Sequence, residues 1–430
     1  MNRLVARRLR AGPVLLSLVI TALLACTGGE VGPPHPADRL DYPVSVTADP
    51  SGELVWVVSG NFDLAYRGAA LLAIDVAENR FVPELAVEIG NFPGPLSFLE
   101  KDGRAVAGYI ASREEDRLYT ITLSGDDPGR PEVACPEGRA SGSILYCPPD
   151  GAILDTEVEV DGDPFDLTVG NDPYATLVAP ARLGGEPDLL FVGGMANGVL
   201  ATLALAADGT PRLVGGLGIV SGLFGLAQNP ATGRLYVSGK LSPTFSVLEV
   251  APRKDPEAPD DPDALDPTNP YLTLLTTVTV PEPALVRDRA RALAISKDGT
   301  RLYATYRAPD SLIVFDIADD AAGNLRNRVL QRIPTCDDPG DIEVVTTDTG
   351  HELLYVSCFK DDRVEVVDPR AGEIVGGVRV GQGPSDMAVV DRPDLGVRRL
   401  YVALFNDHAV SVIDLDPASP SYHQEIGEIR

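Results

Sequence analysis

The chain has 430 residues, of which 44% are hydrophobic and 23% charged, so wholesale disorder is excluded and a large core is affordable. Its formal net charge is −27, and a surface of that sign repels a phosphate backbone, which excludes nucleic acid as a partner. With 42 Gly, 37 Pro and 6% aromatics, the composition favours short strands joined by turns over long helices.

The first element in chain order lies outside the fold. Arg3, Arg7, Arg8 and Arg10 precede an apolar run from Pro13 to Ala25. That run is shorter than the ~20 residues that span a bilayer, and it has the length of a secretory signal. It ends in Leu23-Leu24-Ala25-Cys26, which resembles the lipobox of bacterial lipoproteins. The resemblance implies a signal peptide over 1–26, with Cys26 as the acylated first residue of the mature chain and a membrane as partner through that anchor. Thr27 stands where an Asp would resemble an inner-membrane retention signal, so the outer membrane is the expected location. Residues 27–40, rich in Gly and Pro, read as a flexible tether.

From residue 41 to 430 one pattern recurs. Its clearest copy is the last: Pro384-Ser385-Asp386-Met387-Ala388-Val389, then Arg399-Leu400-Tyr401-Val402-Ala403, then Val410-Ser411-Val412-Ile413-Asp414. Each piece is short, rich in β-branched and aromatic residues, and bounded by turn formers. Copies start at Pro43, Pro95, Pro164, Leu223, Ala290, Pro339 and Pro384, with insertions expected near 124–150, 171–187 and 251–270. The spacing approaches the ~40–50 residues of a four-stranded propeller blade. The expected fold is therefore all-β, a seven-bladed β-propeller of four-stranded antiparallel blades in a single domain. The Leu-Tyr-Val and Val-x-Val-Ile-Asp segments resemble the YVTN-repeat propellers, whose members include surface-layer-like proteins and lactonase-like enzymes.

The second residue after the initial Pro is Asp166, Asp341 and Asp386 in three copies. Inner strands line a propeller's channel, so these carboxylates are expected at one mouth of it. They are candidate ligands for a hard cation such as calcium; the alternative is that each caps its own turn or accepts a backbone amide of the neighbouring blade. No other cofactor is indicated. The four histidines, His35, His351, His408 and His423, lack metal spacing and read as solvated. Without Cys26, four cysteines remain, an even number that suits two disulfides in an exported chain. Cys336 lies just before one inner strand and Cys358 at the end of the strand that returns beside it, which predicts their pairing; Cys135 and Cys147 then close the insertion of the second unit.

No Gly-x-Ser-x-Gly elbow or Gly-rich phosphate loop occurs. The expected function is thus a non-enzymatic, envelope-anchored binding or scaffold module for a protein, a glycan or a small ligand. The family resemblance supplies the alternative, a lactonase-like hydrolase acting at the channel mouth.

Overall fold

A computed structural model describes residues 32–152, 156–160, 163–167, 172–182, 185–258, 261, 264–280 and 290–430. Residues 1–26 with Cys26, and 27–31, lie outside the described residues. Strands dominate, and the helical content among the described residues is three short 3₁₀ turns. None of it is long and apolar enough to cross a membrane.

Six sheets are four-stranded antiparallel meanders, with inner strands Ser97–Lys101, Pro173–Ala179, Leu223–Gln228, Ala290–Ile295, Pro339–Thr346 and Pro384–Arg392. The sheet that opens the ring differs. It begins with Pro43–Ala48 and Leu54–Ser59 and grows to seven strands, because a hairpin of Arg139–Ser141 and Ile144–Tyr146 returns to pair in parallel with Val87–Ile89. The expectation of seven four-stranded blades is therefore corrected to six of that form and one larger sheet. The 124–150 insertion builds the difference.

Two boundaries also move. The third copy starts at Pro173, not Pro164, so much of 171–187 is inner strand rather than insertion. The segment around Pro164 instead forms a separate two-stranded hairpin, Thr156–Val160 with Asp163–Leu167. Within the expected insertion 251–270, the described residues 251–258, 261 and 264–270 run between Thr244–Val250 and Leu272–Thr279, the third and outer strands of their sheet.

The tether reading also needs correction over 32–40. His35, Ala37 and Leu40 are buried, and the two apolar side chains complete the cluster between the last and first sheets. The Arg67 amide donates to the Pro33 carbonyl at 2.9 Å and holds the segment down.

Each sheet is covered on both faces by its neighbours, so the second strands read as continuous apolar runs; Leu54–Ser59 is buried at every position. One apolar cluster sits at each junction, as where Val46, Val57 and Leu72 meet Ala388, Tyr401 and Val412. The tyrosine of the Leu-Tyr-Val segment adds a polar tie across such junctions. Tyr401 donates to Asn79 Oδ1 at 2.8 Å and Tyr303 to Glu352 Oε2 at 3.1 Å. Outer strands end the burial, and five of them carry a β-bulge at the same height, with Val214, Leu275, Leu330, Val375 or Ile426 as the extra residue.

Both predicted disulfides form. Cys336–Cys358 spans a Cα–Cα distance of 5.7 Å and Cys135–Cys147 one of 6.0 Å.

Candidate functional site at the channel mouth

The inner strands enter the ring with a register shift near their first residues, as between Pro384 and Asp386 or Pro173 and Ala175. The shift directs the residues there into a cavity of about 440 Å³ at one end of the channel. A second set comes from the position just after each second strand: Arg113, Met195, Lys240, Arg307, Phe359 and Phe405. Strand alternation does not reach these turn positions, so nothing in the period-two pattern marks them. The repeat itself does, since they occupy equivalent places in successive copies.

This ring of residues is divided. Along one arc stand Arg113, Lys240 and Arg307, joined by Arg291 from an inner strand. Arg113 holds Asp172 through two bonds of 2.5 and 3.1 Å, and Arg307 pairs with Asp338. The Arg291 guanidinium lies 5.4 Å from the centre of the Phe224 ring and the Lys240 ammonium 5.7 Å from it, both within cation–π range. Phe224 in turn stacks on Tyr174 at 4.6 Å. On the other arc the rings of Phe359, Phe405 and Phe62 follow one another at 6.1 and 5.2 Å.

Asp341 and Asp386 form part of the cavity wall and also border a deeper cavity of about 300 Å³, where Glu343 joins them. Each aspartate accepts an amide of the next sheet: Met387 N–H reaches Asp341 Oδ2 at 3.1 Å, and Val46 N–H reaches Asp386 Oδ2 at 2.8 Å. Burial lifts the Asp341 carboxyl to about 6. Burial, and then the charge of Asp341, hold Asp386 and Glu343 well above the ordinary carboxylate range. Burial, with the nearby Asp386 charge, pushes the Tyr174 hydroxyl up to about 12.

The three-aspartate expectation is corrected here. Asp341 and Asp386 do face one mouth, but Asp166 lies in the separate hairpin and Ala175 fills the equivalent inner-strand position. Among the described residues, the two aspartates do not gather with a third ligand group at metal-binding distance. The one cluster of that kind among the described residues is Cys336, Cys358 and Glu365, whose sulfurs are joined to each other. Glu343 escaped the sequence reading although its position two residues beyond Asp341 puts both on one face of a strand.

The histidines lie elsewhere. His351 Nε2 meets Asp368 at 3.0 Å, His408 Nδ1 meets Asp41 at 3.2 Å, and His423 Nε2 meets the Tyr355 hydroxyl at 2.6 Å. His35, read as solvated, is buried between Ser59 and the Pro36 carbonyl.

No family model matches the chain, and no curated protein matches it in sequence. Solved structures do resemble it. Hydrazine synthase of Kuenenia stuttgartiensis superposes with a TM-score of 0.56 at 14% identity, over 90% of this chain and 98% of that one. A periplasmic gluconolactonase of Pseudomonas aeruginosa gives 0.53 at 18% identity, over 80% and 87%. A putative 6-phosphogluconolactonase of Bacteroides uniformis gives 0.54 at 17%, over 82% and 87%. At such identities the likeness is one of fold, and the chain is an all-β propeller of four-stranded antiparallel blades.

Proposed function

We propose that the mouth cavity binds a small organic anion with a flat apolar face, and that the protein works as a non-enzymatic binding module at the cell envelope. An acidic saccharide has that form. The division of the mouth into a cationic arc and an aromatic arc carries the reading: charged groups orient a carboxylate while rings stack on the ligand's C–H face. Titration calorimetry with uronic-acid oligosaccharides tests it. Binding that weakens ~10-fold or more in Arg291→Met and in Phe405→Ala is expected; no saturable binding overturns the reading. Anchoring through Cys26 is part of the proposal, and membrane fractionation of Cys26→Ser checks it, with release from the membrane expected.

A second reading is a lactonase-like hydrolase. What favours it is the pair Asp341 and Asp386 beside the cavity, since a carboxyl lifted toward neutral pH suits a general base for water. Two of the neighbouring folds carry lactonase names as well. Titrimetric assay of glucono-lactone hydrolysis, with Asp341→Asn and Asp386→Asn as controls, separates this reading from simple binding.

A further inference from the structure

A separate cavity of about 400 Å³ opens between the sheets that begin at Ala290 and Pro339. It lies at the opposite strand ends from the mouth, because turns between first and second strands, and one between a third and an outer strand, form it. Lys297 comes from the turn before Arg301–Tyr306, Arg301 opens that strand, and Arg370 comes from the turn after Arg363–Asp368. None of these three side chains makes a hydrogen bond or ion pair with a described residue.

That cluster runs against the composition. Acids outnumber Lys and Arg 63 to 36, so a cation in this chain readily finds a carboxylate. Arg234 meets Asp319 at 2.6 Å, and Arg398 meets Asp348 at 2.7 Å. Carboxylates also border this cavity, but other donors occupy both oxygens of Glu352 and one oxygen of Asp298, whose carboxyl also feels the Arg301 charge. Glu352 accepts the Lys297 amide at 2.8 Å and the Tyr303 hydroxyl at 3.1 Å. Asp298 accepts the hydroxyls of Ser296 and Thr300 at 2.7 and 2.8 Å, and the Thr300 amide at 3.0 Å. The acids thus shape the turns, and three cations from two sheets face one polar cleft.

We propose that this cleft binds a phosphate-type oxyanion, carried either by a soluble phosphomonoester or by a phosphomonoester lipid headgroup. Two guanidinium forks match the oxygens of such a group in pairs, and a lysine adds a point charge. Both sources present the same dianionic group, so the cleft chemistry is common to them.

The test uses the full chain at low salt, with inorganic phosphate in a calorimeter and, separately, phosphatidylcholine vesicles with and without phosphatidate. Saturable phosphate binding that falls ~10-fold or more in Arg301→Met and again in Arg370→Met supports the proposal with a soluble ligand. Retention only on phosphatidate vesicles, lost in the same variants, supports it with a headgroup. Arg379→Met, on an exposed outer strand, serves as the charge control and should leave both signals unchanged. Melting temperatures of the variants confirm that they fold. The proposal is overturned if neither probe binds, if binding survives the Arg301→Met/Arg370→Met double variant, or if it disappears only with Arg291→Met at the mouth.

Discussion

Asp386 accepts the backbone amide of Val46 at 2.8 Å, joining the innermost strand of the last sheet to that of the first across 340 positions of sequence. Six of the sheets are each built from a contiguous stretch of chain and the opening sheet borrows its last two strands only from beyond the second sheet, so among the described residues no strand passes between the last sheet and the first to lock the ring shut. Closure rests on this bond, on the Tyr401 and Arg399 contacts to Asn79, on the Arg399 bond to the Val76 carbonyl, on His408 beside Asp41, and on the shared apolar cluster.

Removing the acceptor should therefore loosen the seam. Asp386→Ala leaves the Val46 amide without a partner in a buried setting and is expected to cost about 1–3 kcal/mol. Asp386→Asn, which keeps an oxygen acceptor, should cost less. Chemical denaturation of both variants at pH 7 checks the order.

His35 makes the fold sensitive to acid. Burial lowers its imidazole from 6.5 to about 4, so the unfolded chain binds the proton first as pH falls. Its contribution is complete above about pH 6.5 and disappears as the pH drops toward 4, a loss of about 3 kcal/mol at most. His35→Gln should flatten that part of the stability curve. An unchanged slope between pH 6.5 and 4 in the variant would refute the assignment.

Asp341 acts in the opposite sense. Its carboxyl is raised to about 6 in the folded chain, so the fold favours the protonated form, and stability from this group falls as pH rises from about 4 to 6. Asp341→Asn keeps an acceptor for the Met387 amide and removes the charge. It is expected to raise the melting temperature at pH 7.5 and to change it little at pH 4, read by calorimetry at the two values.

The Cys336–Cys358 bond closes a segment with a separation of 22 residues. In the chain-entropy account such a loop contributes about 3 kcal/mol, so the Cys336→Ser/Cys358→Ser double variant should lose roughly that much. Reducing agent should lower the wild-type melting temperature and leave the double variant's response to the Cys135–Cys147 bond alone. Non-reducing peptide mapping reads the pairing directly.

The repeat was legible because its signals are local. Leu-Tyr-Val marks a strand covered on both faces, and Pro or Gly marks each turn. The disulfide pairing followed from the same hairpin geometry. The opening sheet was not legible, because the pairing of Ile144–Tyr146 with Val87–Ile89 is parallel and distant in sequence, and no turn residue announces such a contact. The start at Pro164 failed for a related reason: Pro164-x-Asp166 has the local form of a copy, but the strand that follows belongs to a hairpin. At the mouth, Asp341 and Asp386 were visible from their place after proline. Arg113, Lys240 and Arg307 were not, since what they share is a position beyond a strand end rather than a face.

The bulged outer strands bear on how these molecules behave when crowded. An open strand edge recruits a second edge only if its free amides and carbonyls continue in step over several residues. Here the rhythm breaks once in each of five outer strands, beside an apolar residue that would otherwise reward contact, with Leu330, Val375 and Ile426 exposed. A neighbouring rim approaching edge-on would fall out of register after two or three pairs. The circumference can therefore carry greasy side chains without becoming a template for fibres.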